Sequence, residues 1–197
     1  MDFKKHIVKA WELTLQFIVS LVLMTLVMSA AAVVSLGILA PVMMAGYMQS
    51  VLLMIRDGRE PKIQDLFSEM RLFFPLLAFG VVTFVAVAIG LMLLVIPGFL
   101  VIVAISFCCL YMLPLMTDKR LGLVQAIKAS YAMAVRDNMA EHLVVVILFL
   151  AISGIGSSFL VGFLFTQPLA TVFLLSVYDE RRQETGFSPS PPVQPDS

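Results

Sequence analysis

The sequence predicts an all-α polytopic membrane protein with six transmembrane helices arranged as three hairpins, each hairpin preceded by a cytoplasmic amphipathic helix. Three observations predict this class. Hydrophobic residues make up 60% of the 197 residues and charged residues only 13%, whereas soluble domains are about half apolar and about a quarter charged. The charged residues fall into four clusters along the chain, at residues 2–12, 56–71, 118–141 and 179–196. The uncharged stretches between these clusters are each long enough for two membrane crossings.

The lengths of the uncharged stretches favour hairpins over single helices. These stretches cover residues 13–55, 72–117 and 142–178, which is 43, 46 and 37 residues. One crossing takes about 20 residues, so each stretch fits an outgoing helix, a tight turn and a returning helix. A single helix of 43 residues would be about 65 Å long at ~1.5 Å per residue, which exceeds the thickness of an ordinary bilayer.

The positions of lysine and arginine predict the orientation. If every uncharged stretch leaves and returns, all 13 Lys and Arg residues lie on one side of the membrane. Cytoplasmic loops are enriched in these residues, so we expect a multi-pass protein of the inner (plasma) membrane with both termini in the cytoplasm. The basic start of the chain leads into an apolar run longer than the core of a removable signal peptide, and we expect this N-terminus to be retained.

Turn-forming residues divide each uncharged stretch in two. The turn signals lie at residues 35–37, 96–98 and 153–157. The predicted helices cover residues 13–34, 39–55, 72–95, 99–117, 138–153 and 158–178, within one domain at 1–182. For the fifth helix two alternatives stay open: it begins near Asn138 with Glu141 and His142 at the interface, or it enters the membrane without crossing fully. Residues 183–197 are rich in proline and polar residues, which predicts a disordered cytoplasmic tail.

An amphipathic segment precedes each predicted hairpin. Apolar residues recur there at helical spacing, namely Phe3, Ile7 and Trp11, then Ile63, Leu66, Phe67, Met70 and Phe74, then Val124, Ile127, Tyr131 and Val135. Charged residues occupy the other faces of these segments. We expect the three helices to lie in the headgroup plane of the inner leaflet, where they either orient the hairpins or present a docking surface.

No set of side chains suited to catalysis is visible in the sequence. The predicted membrane interior contains no Asp, Glu, Lys or Arg, and such residues carry the ion and proton relays of coupled transporters. His6 and His142 are far apart and belong to no zinc-ligand spacing, and the 13 methionines are typical of flexible apolar packing. We predict that the chain is not an enzyme, that it holds no metal or cofactor, and that its net charge of zero does not suit nucleic acid.

The sixth predicted helix carries two features with a functional interpretation. Pro168 removes a backbone hydrogen bond in mid-helix and is predicted to kink it, while the neighbouring Gln167 is a polar side chain that requires a partner in the membrane. We hypothesise that this kink faces the bundle interior beside a cavity. Small residues at every fourth position predict a seam for close packing with a helix of this chain or of a second copy. These residues are Ser158, Gly162, Thr166 and Ala170.

Several short motifs carry a resemblance to a known family. They read Gly46-Tyr47, Arg56-Asp57-Gly58-Arg59-Glu60-Pro61, Asp65-Leu66-Phe67, Ile96-Pro97-Gly98, Leu113-Pro114-Leu115-Met116-Thr117-Asp118 and Gln125-Ala126-Ile127-Lys128-Ala129-Ser130. The chain resembles the uncharacterised bacterial six-helix inner-membrane proteins related to the membrane domain of glycerophosphodiester phosphodiesterases, over most of residues 40–140. The resemblance implies the six-helix topology. Because those phosphodiesterases carry catalysis in a separate soluble domain, it implies no activity.

These patterns favour a non-enzymatic structural, accessory or regulatory component of the membrane. Its expected partners are the lipid bilayer and a membrane or cytoplasmic-side protein, and the sequence leaves homo-oligomerisation open. The alternative is a transporter or channel for a neutral or lipidic solute, built around the kinked sixth helix. A lipid-modifying enzyme would have only Ser130 and Tyr131 as polar candidates near the inner surface.

Overall fold

The computed structural model describes residues 3–93, 95–136, 139–157 and 160–184, and the regular secondary structure of these residues consists of helices joined by short turns and loops. The helices are α1 (Phe3–Gln16), α2 (Ile18–Val34), α3 (Ala40–Asp57), α4 (Phe73–Leu93), α5 (Val95–Cys109), α6 (Met112–Asp118), α7 (Leu123–Arg136), α8 (Met139–Ser157) and α9 (Leu160–Glu184). Two short 3₁₀ turns, Ile63–Phe67 and Met70–Leu72, precede α4. The all-α class is therefore confirmed.

Two to three helices are long and apolar enough to cross a membrane, which makes a membrane location plausible. One is Ile63–Met92, which joins the 3₁₀ turns to α4, and another is Val101–Asp118, which joins α5 to α6. The third is the pair α1 and α2, if the two helices are counted as one span despite the 85° bend between them. Helix length and apolarity alone do not support six spans among the described residues, since α2 and α5 have only 17 and 15 residues.

The first predicted turn is confirmed. Leu36 and Gly37 both have positive φ, at 51° and 83°, and the Gly37 backbone N–H donates to the carbonyl oxygen of Ala32 at 2.7 Å. A backbone with positive φ leaves the right-handed helical region, so α2 ends before this point. Pro41 lies in the first turn of α3, where the missing N–H costs no hydrogen bond.

The other two predicted turns are wrong. Residues 96–98 belong to the first turn of α5, which tolerates Pro97 for the same reason as Pro41. Residues 153–157 continue α8 as far as Ser157, because packing of α8 against α9 outweighs the weak helix propensity of glycine and serine. The residues between α4 and α5 and between α8 and α9, at 94 and 158–159, lie outside the described residues.

Two predicted helices are divided in the structure. The helix predicted at 13–34 is split at Phe17, with α1 ending at Gln16 and α2 turning away by 85°. The helix predicted at 99–117 is split between Cys109 and Met112. Pro114 explains the second split, because its ring would clash with the carbonyl of residue 110 in a continuous helix.

The remaining helix boundaries are close to prediction. The helices predicted at 39–55 and 72–95 correspond to α3 and α4. For the fifth helix, α8 begins at Met139 and runs for 19 residues, which agrees with the early start. The sixth extends beyond its predicted end at 178, because α9 continues through charged residues to Glu184. Most of the predicted tail, from residue 185 onwards, lies outside the described residues.

The amphipathic segments before the first and third hairpins form α1 and α7, but the middle one does not form an α-helix. The segment at 61–74 folds into the two 3₁₀ turns instead. The reason is a close approach to α3: the carbonyl oxygens of Asp65 and Leu66 lie against Gly46, and Leu66 is fully buried. The Asp65 carbonyl oxygen accepts hydrogen bonds from the backbone N–H and Oγ of Ser68 at 3.1 and 2.7 Å, which closes the first 3₁₀ turn above Gly46.

Most of the large apolar side chains of the three segments are turned away from the bundle, although Leu66 and Met133 are buried. Trp11, Phe74 and Tyr131 are 56%, 78% and 52% exposed, and Ile7, Leu15, Ile63, Phe67, Met70, Val124 and Val135 are exposed as well. Small or polar residues instead form the buried stripes, namely His6, Ala10 and Thr14 in α1 and Ala126, Ser130 and Ala134 in α7. Small side chains permit a close approach between helices, so the stripes that contact the bundle are not the most apolar ones.

Helix α9 is central to the packing. It contacts α1, α2, α3 and α8, and α4 packs mainly against α5. The core is built from residues of α2, α3, α6 and α9, among them Met24, Met43, Tyr47, Met116 and Phe173. The outer face of α4 is exposed, as Val82 and Phe84 show with 68% and 74% of their surface accessible. The charged end of α9 is thereby placed beside the ends of α3 and α6.

Candidate functional site

A network of two arginines and two aspartates joins the ends of three helices. Arg56 lies in the last turn of α3, Asp118 ends α6, and Asp179 and Arg182 lie near the end of α9. The Arg56 guanidinium donates to Asp118 through Nη1 at 2.6 Å and Nη2 at 3.3 Å, and to Asp179 through Nε at 2.8 Å. The Tyr178 hydroxyl donates to Asp118 at 3.1 Å, and Arg182 Nη1 lies 3.4 Å from the same carboxylate. We call these five residues the charged network.

The charged network is largely removed from solvent. The side chains of Asp118 and Asp179 are 9% and 15% exposed. The Arg56 guanidinium lies between two carboxylates and donates hydrogen bonds to both Asp118 and Asp179. Burial, followed by the positive charges of Arg182 and Arg56, lowers the pKa of the neighbouring Lys119 despite the attraction of Asp118. Charges that neutralise one another in this way suit a structural clamp better than acid-base chemistry.

A group of buried aromatic and basic side chains adjoins the charged network. His142 is fully buried, and its Nε2 lies 2.9 Å from the carbonyl oxygen of Phe107. The ring centroids of His142 and Tyr111 are 5.4 Å apart. Arg181, only 2% exposed, places its guanidinium carbon 6.0 Å from the centre of the Tyr111 ring and an Nη atom 4.0 Å from a carboxylate oxygen of Glu141. This group links α5, α8 and α9 at the same end of the molecule.

The two polar candidates for lipid chemistry are separated by the structure. Ser130 is fully buried, and its Oγ accepts a hydrogen bond from the Tyr111 backbone N–H at 3.2 Å. Tyr131 is 52% exposed on another face of α7. A nucleophile needs a base within hydrogen-bond reach and access to substrate, and the contacts of Ser130 instead tie α7 to the start of α6.

His6 connects α1 to α9 through two side-chain contacts. Its Nδ1 lies 2.6 Å from Oγ of Ser176, and its Nε2 lies 2.8 Å from a carboxylate oxygen of Glu180. His6 is only 4% exposed, and Ala10 and Thr14 continue the buried stripe of α1. The first charged cluster of the chain is therefore held directly against the last one.

Replacing His6 with alanine is expected to loosen α1 without unfolding the bundle. The change removes both side-chain contacts to α9, and the one to the charged Glu180 alone is worth about 1.5–3 kcal/mol. Amide hydrogen exchange of α1 should accelerate, while exchange in α3 stays unchanged. Lys4→Ala is the matched control on the exposed side of α1. Equal exchange in His6→Ala and Lys4→Ala would contradict this role of His6.

Asp65 anchors the 3₁₀ turns to α3 and to the loop before them. Its carboxylate accepts hydrogen bonds from Ser50 Oγ at 2.6 Å and from the Lys62 backbone N–H at 3.1 Å, and it pairs with Arg59. Gly46 lies under the same turn, where an added Cβ would be 2.4 Å from the Asp65 carbonyl oxygen. The glycine is thus required by close backbone packing.

Gln167 finds a partner on another helix. Its side-chain amide donates to Met44 Sδ of α3 at 3.5 Å, and the next residue, Pro168, is buried within the continuous helix α9. The Gln167 carbonyl oxygen accepts a hydrogen bond from Thr171 Oγ1 at 2.9 Å. Met44 also lines a cavity between α2, α3 and α9. The functional kink at Gln167 and Pro168 stays a prediction.

The predicted packing seam is described only in part. Ala170 is fully buried, and Gly162 and Thr166 are half-buried. The Thr166 hydroxyl donates to the Gly162 carbonyl oxygen of its own helix at 3.0 Å. Ser158 lies outside the described residues. Whether the seam serves packing within the chain or with a second copy stays a prediction.

Sequence reasoning placed the network residues in charged clusters but missed their pairing. Arg56 and Asp118 are 62 positions apart, and Arg56 and Asp179 are 123 apart. Only Asp179 and Arg182, at i and i+3 of one helix, carry a local signal. Arg181 was also missed, because a charged residue near a helix end is normally solvated.

Within the described residues, no group of three or more His, Cys, Asp or Glu side chains could hold a metal ion.

Comparison with known proteins identifies no relative of this chain. No family model, curated protein or solved structure matches the chain. The resemblance to the membrane domain of glycerophosphodiester phosphodiesterases therefore stays a prediction.

Proposed function

We propose that this protein is an integral component of an inner membrane, with six crossings in three hairpins and both termini in the cytoplasm. One observation carries the proposal: side chains from all four charged clusters meet at one end of the molecule. Arg56 pairs with Asp118 and Asp179, and His6 pairs with Glu180. If any uncharged stretch crossed only once, the clusters on its two sides would face opposite compartments and could not pair. Enrichment in lysine and arginine makes this end cytoplasmic.

The helix lengths do not by themselves call for six crossings, but they are compatible with this arrangement. Helices α2, α3, α4 and α8 contain 17, 18, 21 and 19 residues, which correspond to about 25–32 Å at ~1.5 Å per residue. The hydrocarbon core is about 30 Å thick. The stretch Val101–Asp118 has 18 residues, and α9 is uncharged from its first residue to Tyr178. We assign one crossing to each of these six elements.

The outward-turned apolar stripes support an interfacial position for α1, the 3₁₀ turns and α7. In water these exposed side chains, Trp11, Phe67 and Tyr131 among them, would be unfavourable. At the headgroup level they would contact acyl chains, and tryptophan and tyrosine are enriched at that depth. The three elements would then surround the charged end as a collar within the inner leaflet.

Within this membrane protein we propose a structural, accessory or regulatory role without catalysis. The support is that the charged side chains of the cytoplasmic end are engaged with one another, as the charged network and the Asp65 contacts illustrate. The exposed positive side chain of Lys128 on α7 offers a place for a protein partner beside the collar.

Site-specific photo-crosslinking in cells tests the accessory role. A crosslinking residue at Lys128 is expected to yield a reproducible protein adduct that also co-purifies with the tagged chain in mild detergent. The matched position is Val82 on the outer face of α4, where only lipid adducts are expected. Repeated experiments without any protein adduct or co-purifying protein would contradict the accessory role.

A second candidate is a transporter or channel for a neutral or lipidic solute. A cavity of about 360 Å³ between α2, α3 and α9 favours it. Its lining includes Met28, Ala32 and Phe163, together with Met44, the partner of Gln167. Apolar walls of this size suit an apolar solute. In proteoliposomes, Ala32→Phe should abolish flux of a transported solute and Gly80→Ala should preserve it. Absence of flux across a broad panel of neutral solutes would exclude this candidate.

A further inference from the structure

An apolar cavity lies between α1 and the hairpin of α8 and α9. Its volume is about 230 Å³, and its lining includes Val8 and Trp11 of α1, Ile152 of α8, and Leu169 and Phe173 of α9. Val8 and Trp11 are 46% and 56% exposed, so the cavity is accessible from outside the bundle. Its walls have the chemistry of a site for a hydrocarbon chain.

The orientation of α1 places this cavity at the depth of the upper acyl chains. The axes of α1 and α2 meet at 85°. If α2 crosses the membrane, α1 lies nearly parallel to the membrane surface, held there by His6 and α9. The lining residues Leu169 and Phe173 belong to the uncharged part of α9, so the cavity is on the hydrocarbon side of α1.

The exposed polar side of α1 is positively charged. The helix carries Lys4, Lys5 and Lys9 against a single acidic residue, Glu12. Lys4 lies one turn before Val8, and residues four apart are neighbours on a helix surface. Glu12 is the charged residue among those that line the cavity, whereas the three lysines are exposed on α1 outside this lining. The positive charge of α1 as a whole therefore favours an anionic group beside the cavity over a cationic one.

We propose that α1, α8 and α9 bind an anionic phospholipid, with an acyl chain in the cavity and the phosphate beside the lysines of α1. The inference rests on the proposed membrane function and deepens it, because it names the ligand of the interfacial helix. Basic residues on an amphipathic helix attract anionic lipid headgroups, while the apolar face lies among acyl chains. Here the apolar cavity and the exposed lysines belong to one helix, which His6 holds against the bundle.

The chain contains one tryptophan, and this residue, Trp11, lines the cavity. Full-length protein is reconstituted in phosphatidylcholine vesicles with a minor fraction of lipid that carries brominated acyl chains, which quench tryptophan fluorescence on contact. Brominated phosphatidylglycerol should quench Trp11 at least about threefold more than brominated phosphatidylcholine at the same fraction. Equal quenching by the two lipids would overturn the proposal, and quenching by neither would also overturn it.

Variants test the two halves of the site separately. The double change Lys4→Gln and Lys9→Gln should reduce the phosphatidylglycerol effect to the phosphatidylcholine level, and Val8→Phe should reduce quenching by both lipids by filling the cavity. A preference that survives Lys4→Gln and Lys9→Gln would contradict the role of the lysines.

A relocated tryptophan separates this proposal from the membrane function on which it rests. The combination of Trp11→Phe with Val82→Trp moves the probe to the outer face of α4. Equal quenching there by both brominated lipids is expected for a helix surrounded by bulk lipid. If that probe is quenched while Trp11 shows no lipid preference, the phospholipid site alone is overturned. If neither lipid quenches that probe, the membrane function itself is contradicted.

Discussion

Gly46→Ala is expected to destabilise the folded protein by about 3 kcal/mol or more, at the upper end of the effects of overpacking. The added Cβ would lie 2.4 Å from the Asp65 carbonyl oxygen and 2.5 Å from that of Leu66. Both neighbours are backbone atoms, so no side-chain rotation relieves the clash. The 3₁₀ turns would have to separate from α3, and the contacts of Asp65 with Ser50 would be lost. Denaturant titration of the purified protein in mild detergent measures the effect.

Gly80→Ala is the matched control for this prediction. Gly80 lies inside α4, and an added Cβ there would meet no atom within 4 Å. Because alanine is the better helix former by about 1 kcal/mol, the control variant should be unchanged or slightly more stable. Equal stabilities of Gly46→Ala and Gly80→Ala would mean that the close contact between α3 and the 3₁₀ turns is absent.

Arg56→Ala is expected to cost about 3 kcal/mol, the lower end of the range for breaking a buried ion pair. The change leaves Asp118 and Asp179 close together, with side chains only 9% and 15% exposed and without their shared counter-charge. Asp118→Asn should relieve part of this repulsion. A double-mutant cycle between Arg56→Ala and Asp118→Asn should therefore give a coupling energy of about 1–3 kcal/mol.

The exposed Lys128 of α7 provides the control for the arginine. Lys128→Ala should change stability by no more than about 0.5 kcal/mol. If Arg56→Ala were as mild as Lys128→Ala, the charged network would not hold the ends of α3, α6 and α9 together. The main support for placing the charged clusters on one side would then be lost.

Hydrophobic runs gave a sound prediction of which residues become helical, but a poor one of where the helices break. The break between α2 and α3 was predictable because Gly37 adopts a positive φ of 83°, a conformation that few other residues tolerate. Pro97 does not distinguish a turn from a helix start, since proline is equally suited to a turn and to the first turn of a helix. Pro114 lies next to the split between α5 and α6. Because proline interrupts a helix only in its interior, predicting this split would have required knowing where the helix begins.

The long-range pairings could not be predicted from a single sequence. The partners of Arg56 depend on how α3, α6 and α9 pack against one another. The spacing of residues along the chain does not predict that packing. Gly46 did carry a local signal, because glycine inside a helix is unfavourable by about 1 kcal/mol and often marks a close backbone approach. The identity of the approaching segment, the turn at Asp65, required the structure.

The outward-turned apolar stripes of α1 and α7 show a further feature that the residue pattern does not predict. Periodicity identified Ile7, Trp11 and Tyr131 as members of apolar faces, but it does not distinguish a face that meets the protein from one that meets lipid. In this fold the small residues Ala10 and Ala126 face the bundle. The most apolar face of a helix is usually assumed to be buried in the protein. This assumption does not hold for a helix that can also contact lipid.

Cysteine labelling in intact cells tests the central claim most directly. On a background without Cys108 and Cys109, single cysteines replace Ile38, Met92 and Gly154, exposed residues in or near the far ends of the three proposed hairpins. Further single cysteines replace Ser68 and Lys128, exposed residues near the charged end. A membrane-impermeant thiol reagent should label the first three positions in intact cells and the other two only after the cells are opened. Labelling of Ser68→Cys or Lys128→Cys in intact cells, or protection of any of the three far positions, would contradict three hairpins with a single cytoplasmic face.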